Sequence, residues 1–215
     1  MRFTDRRSWL WAEFVCLFVL TPVVIAVFMP PRAMFLALFA FSLAGLVLLW
    51  RTGGFDWRGL LRGWRRIPWG KVAAVGLIVL VSGWIILSIN RPQNLFSFLL
   101  TDPARMLLVW AFYPFLSALP QELIFRVLFF HRYAALFPQR RPAILVNAAI
   151  FSLAHLMYWS PIVAVLTFLG GIVFARGYLE RGFPTAWLMH AVAGNVLFAV
   201  GMGVYFYSGN VVRPF

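Results

Sequence analysis

The chain has 215 residues, of which 63% are hydrophobic and only 12% charged, against roughly 45–50% and about 25% in an ordinary soluble domain. With 23 Phe and 10 Trp as well, it carries more apolar surface than one water-soluble globule can hide, which excludes that class and leaves an integral membrane protein. Nineteen basic residues face six acids, for a net charge of +13. In a hydrophobic chain such an excess sets topology and meets anionic lipid headgroups, and a nucleic-acid partner is not expected. Cys16 is alone in an apolar run, which rules out a disulfide framework or a thiolate metal cluster.

A hydrocarbon core of about 30 Å calls for roughly 20 apolar residues per helix. The first run is Trp9 to Phe28, stopped by Met29-Pro30-Pro31-Arg32. Its basic start resembles a signal peptide, but no small-residue cleavage site follows, so a retained first span is expected. The second run is Ala33 to Trp50. Arg51 to Gly70 then carries Arg51, Arg58, Arg62, Arg65 and Arg66 among Trp57, Trp64 and Trp69, the pattern of a short amphipathic segment lying in the interface. Lys71 to Ile89 is the third span. Arg105 to Phe137 contains Pro114 and Pro120 and reads as one kinked helix or as two short spans. Pro142 to Tyr158, Ile162 to Tyr178 and Pro184 to Tyr207 follow.

The distribution of arginine arbitrates. With 105–137 as one crossing and a cytoplasmic N-terminus, fourteen basic residues lie inside. Arg32, Arg91, Arg105 and Arg213 lie outside, and Arg126 falls within a span. Two crossings would send Arg176 and Arg181 outside. The expected fold is therefore an all-α polytopic bundle of about seven spans, N-terminus in and C-terminus out, multi-pass in a cell's inner (cytoplasmic) membrane. It forms a single membrane domain over 1–215.

Ionisable groups inside a span are costly and are functional candidates by default. Asp5, Asp56, Asp102 and Glu180 lie at span ends or in loops, and Glu13, about a turn inside, can reach the headgroups. Only Glu122 is deep. His155, His190 and Arg126 also lie within spans, whereas His131 beside Arg132 reads as interfacial. Glu122 and Arg126, four residues apart, share a helix face and can pair. At 1.5 Å per residue, Glu122 is about 15 Å, His155 about 21 Å, His190 about 9 Å and Asn195 about 16 Å from the cytoplasmic boundary. Four polar residues from three helices thus fall in one slab, as a shared cavity requires. Asn147 and Ser152 read as interhelical hydrogen-bond partners.

These residues resemble the motifs of the CPBP family (CAAX proteases and bacteriocin-processing enzymes, also called Abi). Gln121-Glu122-Leu123-Ile124-Phe125-Arg126 is similar to its E-E-x-x-x-R, Phe151-Ser152-Leu153-Ala154-His155 matches its F-x-x-x-H, and His190 followed by Asn195 resembles its H-x-x-x-N. The likeness begins near Arg105 and runs to the C-terminus, making 105–215 the expected catalytic core and 1–104 the N-terminal spans and amphipathic loop. The resemblance implies an intramembrane glutamic protease. A motif-one carboxylate and the motif-two histidine would activate water, and the motif-three His and Asn would hold the oxyanion. Two departures follow. Gln121 stands where the family has its first glutamate, so either Glu122 takes over as base, through local unwinding near Pro120, or the activity is lost. Asn195 is five residues after His190, with Gly194 in the usual Asn slot. Either a π-bulge returns Asn195 to the face of His190, or it serves packing.

The reading is an endopeptidase acting near the cytoplasmic half of the bilayer on a membrane-embedded or lipid-anchored peptide, through a cavity reached from the cytoplasm. Its site residues are Glu122, His155, His190 and Asn195, supported by Gln121, Arg126 and Phe151. A catalytically impaired relative that binds a membrane peptide or partner, or a proton-coupled transporter, are the alternatives. No cofactor is expected. Zinc on Glu122, His155 and His190 is disfavoured, since Arg126 opposes a cation and the helical His spacing of zincins is missing.

Overall fold

In hydrocarbon each backbone N–H and C=O must be satisfied within its own segment, so every apolar run resolves into helix. The computed structural model describes residues 3–30, 33–207, 209 and 211–214. Arg2, Pro31 and Arg32, used in the reasoning on topology, lie outside the described residues, as does the side chain of Arg6. Helix α1 spans residues 3–28, with a π-helical turn over Cys16–Leu20. It is followed by α2 (Met34–Trp50), α3 (Trp69–Asn90), α4 (Pro103–Arg132), α5 (Arg140–Ala154), α6 (Pro161–Arg181) and α7 (Phe183–Val200). Six of these are long and apolar enough to cross a membrane. The seventh, α2, has 17 residues, about 26 Å of helix. The protein is an all-α multi-pass membrane bundle.

Residues 103–132 form one continuous helix, the single crossing that the arginine distribution favoured. Two details differ from expectation. The amphipathic stretch is not one helix but two short 3-10 turns, Trp57–Leu61 and Trp64–Arg66, with the arginine and tryptophan side chains exposed. The last span ends at Val200 rather than Tyr207, because Gly201 takes a left-handed conformation at φ 105° that side-chain-bearing residues avoid. A short helix, Gly203–Phe206, follows.

Contacts between the helix ends sort the chain into two ends. At one end Lys71 Nζ lies 3.4 Å and Arg140 3.7 Å from Glu180. At the other, Arg213 donates to Val27 O at 2.9 Å, Trp159 Nε1 to Ala26 O, and Phe96 N–H to Val200 O. This alternation is the one produced by seven crossings. Helix α6 packs between α5 and α7, α7 lies against α3, and α2 packs on the second half of α4.

Glu13 does not reach the headgroups. Arg132 clasps it at 2.5 Å through Nε and 2.7 Å through Nη2, and the Tyr133 hydroxyl donates to it at 2.6 Å. Arg132 also donates to Thr52 Oγ1 at 2.8 Å. A fork-shaped guanidinium matched to both carboxylate oxygens is better satisfied here than by mobile lipid. Burial, and then the bond to Glu13, push the Tyr133 phenol above its ordinary pKa. This cluster ties α1, the end of α2 and the end of α4 together. Glu13→Gln is expected to cost about 1–3 kcal/mol, read as a lower thermal midpoint in detergent; an unchanged midpoint would show that the cluster does not hold the three ends.

Candidate active site

Helix α4 is built to leave carbonyls open, and neighbouring helices claim them. Pro114 has no N–H, so the carbonyl of Trp110 four residues back loses its helical donor. Asn195 Nδ2 supplies one at 3.2 Å, while Trp110 Nε1 returns a bond to Asn195 O. The helix then widens into a π segment over Pro114–Ala118, and Trp187 Nε1 donates to Pro114 O at 2.7 Å. A second π segment runs over Leu123–Leu128, where the Phe129 N–H reaches Arg126 O and Ile124 O rather than Phe125 O. The skipped Phe125 carbonyl accepts from Asn147 Nδ2 on α5.

Between the two π segments stand Gln121 and Glu122. Consecutive helical residues diverge by about 100°, and the pair divides accordingly. Gln121 lines a cavity and donates to Ser117 Oγ at 3.0 Å. Glu122 turns the other way into the protein and is fully buried. Its Oε1 meets His190 Nδ1 on α7 at 2.9 Å, and its Oε2 lies 3.3 Å from Arg126 Nε. Arg126, also fully buried, donates through Nη1 to Asn147 Oδ1.

Phe151 is the aromatic wedge among these groups. The Arg126 guanidinium sits 4.8 Å from its ring centroid, and the rings of His155 and His190 lie edge-on at 4.8 and 5.5 Å. Phe174 stacks on His190 at 4.8 Å. His155 caps the end of α5, with Nδ1 2.8 Å from the Phe151 carbonyl. A ring nitrogen facing a carbonyl must carry the proton, so the His155 lone pair resides on Nε2. By the same reasoning His190 bears its proton on Nδ1 toward Glu122. Its Nε2 then accepts from the Tyr113 hydroxyl at 3.2 Å.

The cavity has a volume of about 940 Å³ and is mostly apolar, with Tyr113, Ser117, Gln121, His155 and His190 among its polar lining. Its deepest residues are at mid-span. From there the lining runs through Tyr113 and Arg105 to Asn94, Ser97 and Tyr207. These belong to the arginine-poor end, whereas none of the loop 51–68 or the turn 133–139 takes part. Access was expected from the arginine-rich end, read as cytoplasmic, and the cavity does not extend to that end. The wide space lies toward the opposite end, because the bundle is closed below by the Phe14, Phe18, Phe125 and Phe129 core and the Glu13 cluster.

The structure brings Gln121, Glu122, Arg126, Phe151, His155 and His190 together and leaves Asn195 out. Helix α7 is a regular α-helix through this region. Asn195 thus points about 140° away from His190, toward the carbonyl freed by Pro114. Glu122 is present but faces its two partners instead of the cavity. Among the described residues no group of three or more His, Cys, Asp or Glu side chains is placed to hold a metal ion. Tyr113 and Ser117 were not anticipated. The available signal was the spacing of Tyr113, Ser117 and Gln121 by fours, a polar stripe on an otherwise apolar helix.

Two expectations follow from these contacts. Asn195→Ala should lower stability by about 0.6–1.7 kcal/mol, the range for hydrogen bonds between membrane helices, while leaving any turnover within a few-fold of wild type. Glu122→Gln should cost about 3 kcal/mol or more, because Arg126 is left as an uncompensated buried charge. Thermal midpoints of the two variants measure both, and equal midpoints would contradict the assignment.

Neither the curated proteins nor the solved structures contain a match to this chain. A family model does match residues 102–197, that of the type II CAAX prenyl endopeptidase Rce1-like proteins. The matched segment covers the whole of α4, α5 and α6 and α7 as far as Leu197, and so includes every residue of the site. Over this segment the chain is similar to the Rce1-like family of type II CAAX prenyl endopeptidases.

Proposed function

We propose that this protein is an intramembrane endopeptidase that hydrolyses a peptide bond in a membrane-embedded or lipid-anchored substrate, with Glu122 acting through His190 instead of directly on water. The observation that carries the reading is the 2.9 Å bond between Glu122 and His190, a carboxylate–imidazole pair behind a membrane cavity. The carboxylate fixes the imidazole tautomer and compensates the charge that forms when the ring takes a proton. His155, with its lone pair on Nε2, provides a second acceptor on the same wall. An amide at position 121 donates to a developing oxyanion where a carboxylate would repel it. Glu122, His155 and His190 are the residues on which turnover depends, Gln121, Arg126 and Phe151 support them, and Asn195 serves the helix.

The cavity's apolar lining suits an acyl, prenyl or hydrophobic peptide segment, and its extension toward the arginine-poor end favours substrates presented from the side opposite the cytoplasm. The arginine-rich surface turns of residues 51–70 rest on anionic headgroups in this reading, in a cytoplasmic membrane. A second reading has its own observation. The one side chain at the motif's water-activating position, Gln121, has no basic atom, so the chain would bind a membrane peptide without cutting it.

Purified protein in detergent, given a library of membrane peptides, separates the two. Cleavage is expected, with kcat lowered by about 10²-fold or more in His155→Ala and His190→Ala. Gln121→Glu should not raise turnover. A large gain in Gln121→Glu over an inactive wild type would establish the binding protein in place of the protease.

A further inference from the structure

His190 has no nitrogen of its own open to the cavity. Nδ1 is held by Glu122 and Nε2 by the Tyr113 hydroxyl, 2.9 and 3.2 Å away. The phenol ring lines the cavity. Its place there depends on Gly194, one turn beyond His190 on α7, because a Cβ at that position would fall within the Tyr113 ring, on Cε1, Cζ and Oη. Any side chain at 194 therefore excludes Tyr113 from His190. Phe198 packs edge-on against the same ring at 5.7 Å and keeps it from swinging away along α7.

We propose that Tyr113 is the proton relay that joins the buried Glu122–His190 pair to a water in the cavity, an inference that rests on the hydrolytic reading above. The direction of the hydrogen bonds determines how the relay runs. With the His190 proton on Nδ1, the Tyr113 O–H donates to Nε2, and the phenol oxygen keeps a lone pair for a hydrogen from cavity water. As that water's oxygen bonds to the substrate carbonyl carbon, its proton passes to the Tyr113 oxygen and the Tyr113 proton passes to His190 Nε2. The carbonyl π electrons move onto oxygen. When the tetrahedral species collapses, the C–N bond breaks and its electron pair stays on nitrogen. The relay then runs backward and delivers the proton to the leaving amine. One water is consumed, and Tyr113 and His190 end as they began. Glu122 remains ionised and offsets the imidazolium that exists between the two steps. A carboxylate shut away from the cavity thereby acts on water through two intervening groups.

The experiment compares wild type, Tyr113→Phe and Gly194→Ala, with turnover of a membrane peptide and the ¹⁵N resonances of the His190 ring as separate readouts. Tyr113→Phe keeps the ring and removes only the hydroxyl. Its kcat should fall by about 10²-fold or more with KM little changed, and the Nε2 resonance should move downfield as the nitrogen loses its donor. Gly194→Ala displaces the whole ring and should reproduce both effects. If wild type cuts and Tyr113→Phe keeps its kcat, the relay is wrong and the protease reading stands. If wild type cuts nothing, the protease reading fails and the relay fails with it. An Nε2 resonance unmoved in Tyr113→Phe removes the hydrogen bond, and the relay, in either case.

Discussion

A single carboxylate, Glu122, is held without solvent between a guanidinium on its own helix and an imidazole on another. The rest of the site is arranged around that constraint. An unpaired charge at this depth is costly, so Arg126 has to stay, and Arg126 in turn needs acceptors for the rest of its guanidinium. Asn147 supplies one from α5, and Phe151 covers the guanidinium face. The same Phe151 ring then sets the edges of His155 and His190. Helices α4, α5 and α7 are therefore registered against one another by satisfying one charge, and the two histidines are brought together as a consequence.

The backbone of α4 makes this arrangement possible. A regular helix with its carbonyls occupied offers nothing to its neighbours, whereas two π segments and two prolines leave acceptors along its length. Each identified acceptor meets a side chain from elsewhere: Trp110 O meets Asn195, Pro114 O meets Trp187, and Phe125 O meets Asn147. Pro114 O also accepts the Leu119 N–H of its own helix, whereas at Trp110 O and Phe125 O the side chain stands in for the missing helical donor, which makes the irregular helix specific rather than loose. The π segments also set the rotation of the short α-helical turn Leu119–Glu122 between them. That rotation sends Gln121 to the cavity and Glu122 to the interior.

The apolar runs and the arginine distribution carried the architecture, since hydropathy and loop charge are local properties of a sequence. Polar residues at depth were legible for the same reason, because hydrocarbon makes each of them exceptional. What could not be read was direction. Whether residue 121 or 122 faces the cavity depends on helix rotation, and Leu123–Leu128 widens through packing against α2 and α5, with no Pro or Gly inside it to announce the change. Asn195 was ambiguous for a related reason. Its spacing from His190 fitted a bulge in α7, but the irregularity lies in α4, where Pro114 already marked it. Tyr113 was missed because its role depends on a side chain absent from another helix, and an empty position at Gly194 becomes informative only once the ring that fills it is visible.

Removing a charge from the cavity wall has a consequence for what the cavity can hold. A carboxylate at position 121 would have to be solvated or paired on a surface that is otherwise mostly apolar. With an amide there, the polar lining around position 121 carries no carboxylate: it is the phenol of Tyr113, the hydroxyl of Ser117, the amide and two imidazoles, while the lining cation Arg105 lies near the outer end of the cavity. A hydrophobic segment can then approach without leaving an unpaired charge beside it. The ionised groups sit one layer behind, where Glu122 and Arg126 neutralise each other and lose none of their partners when the cavity is dewetted. In the proposed reaction, base strength and binding surface are thus separated between two layers of the same three helices, and the His190 imidazole and Tyr113 hydroxyl form the hydrogen-bonded link from the buried carboxylate to the cavity.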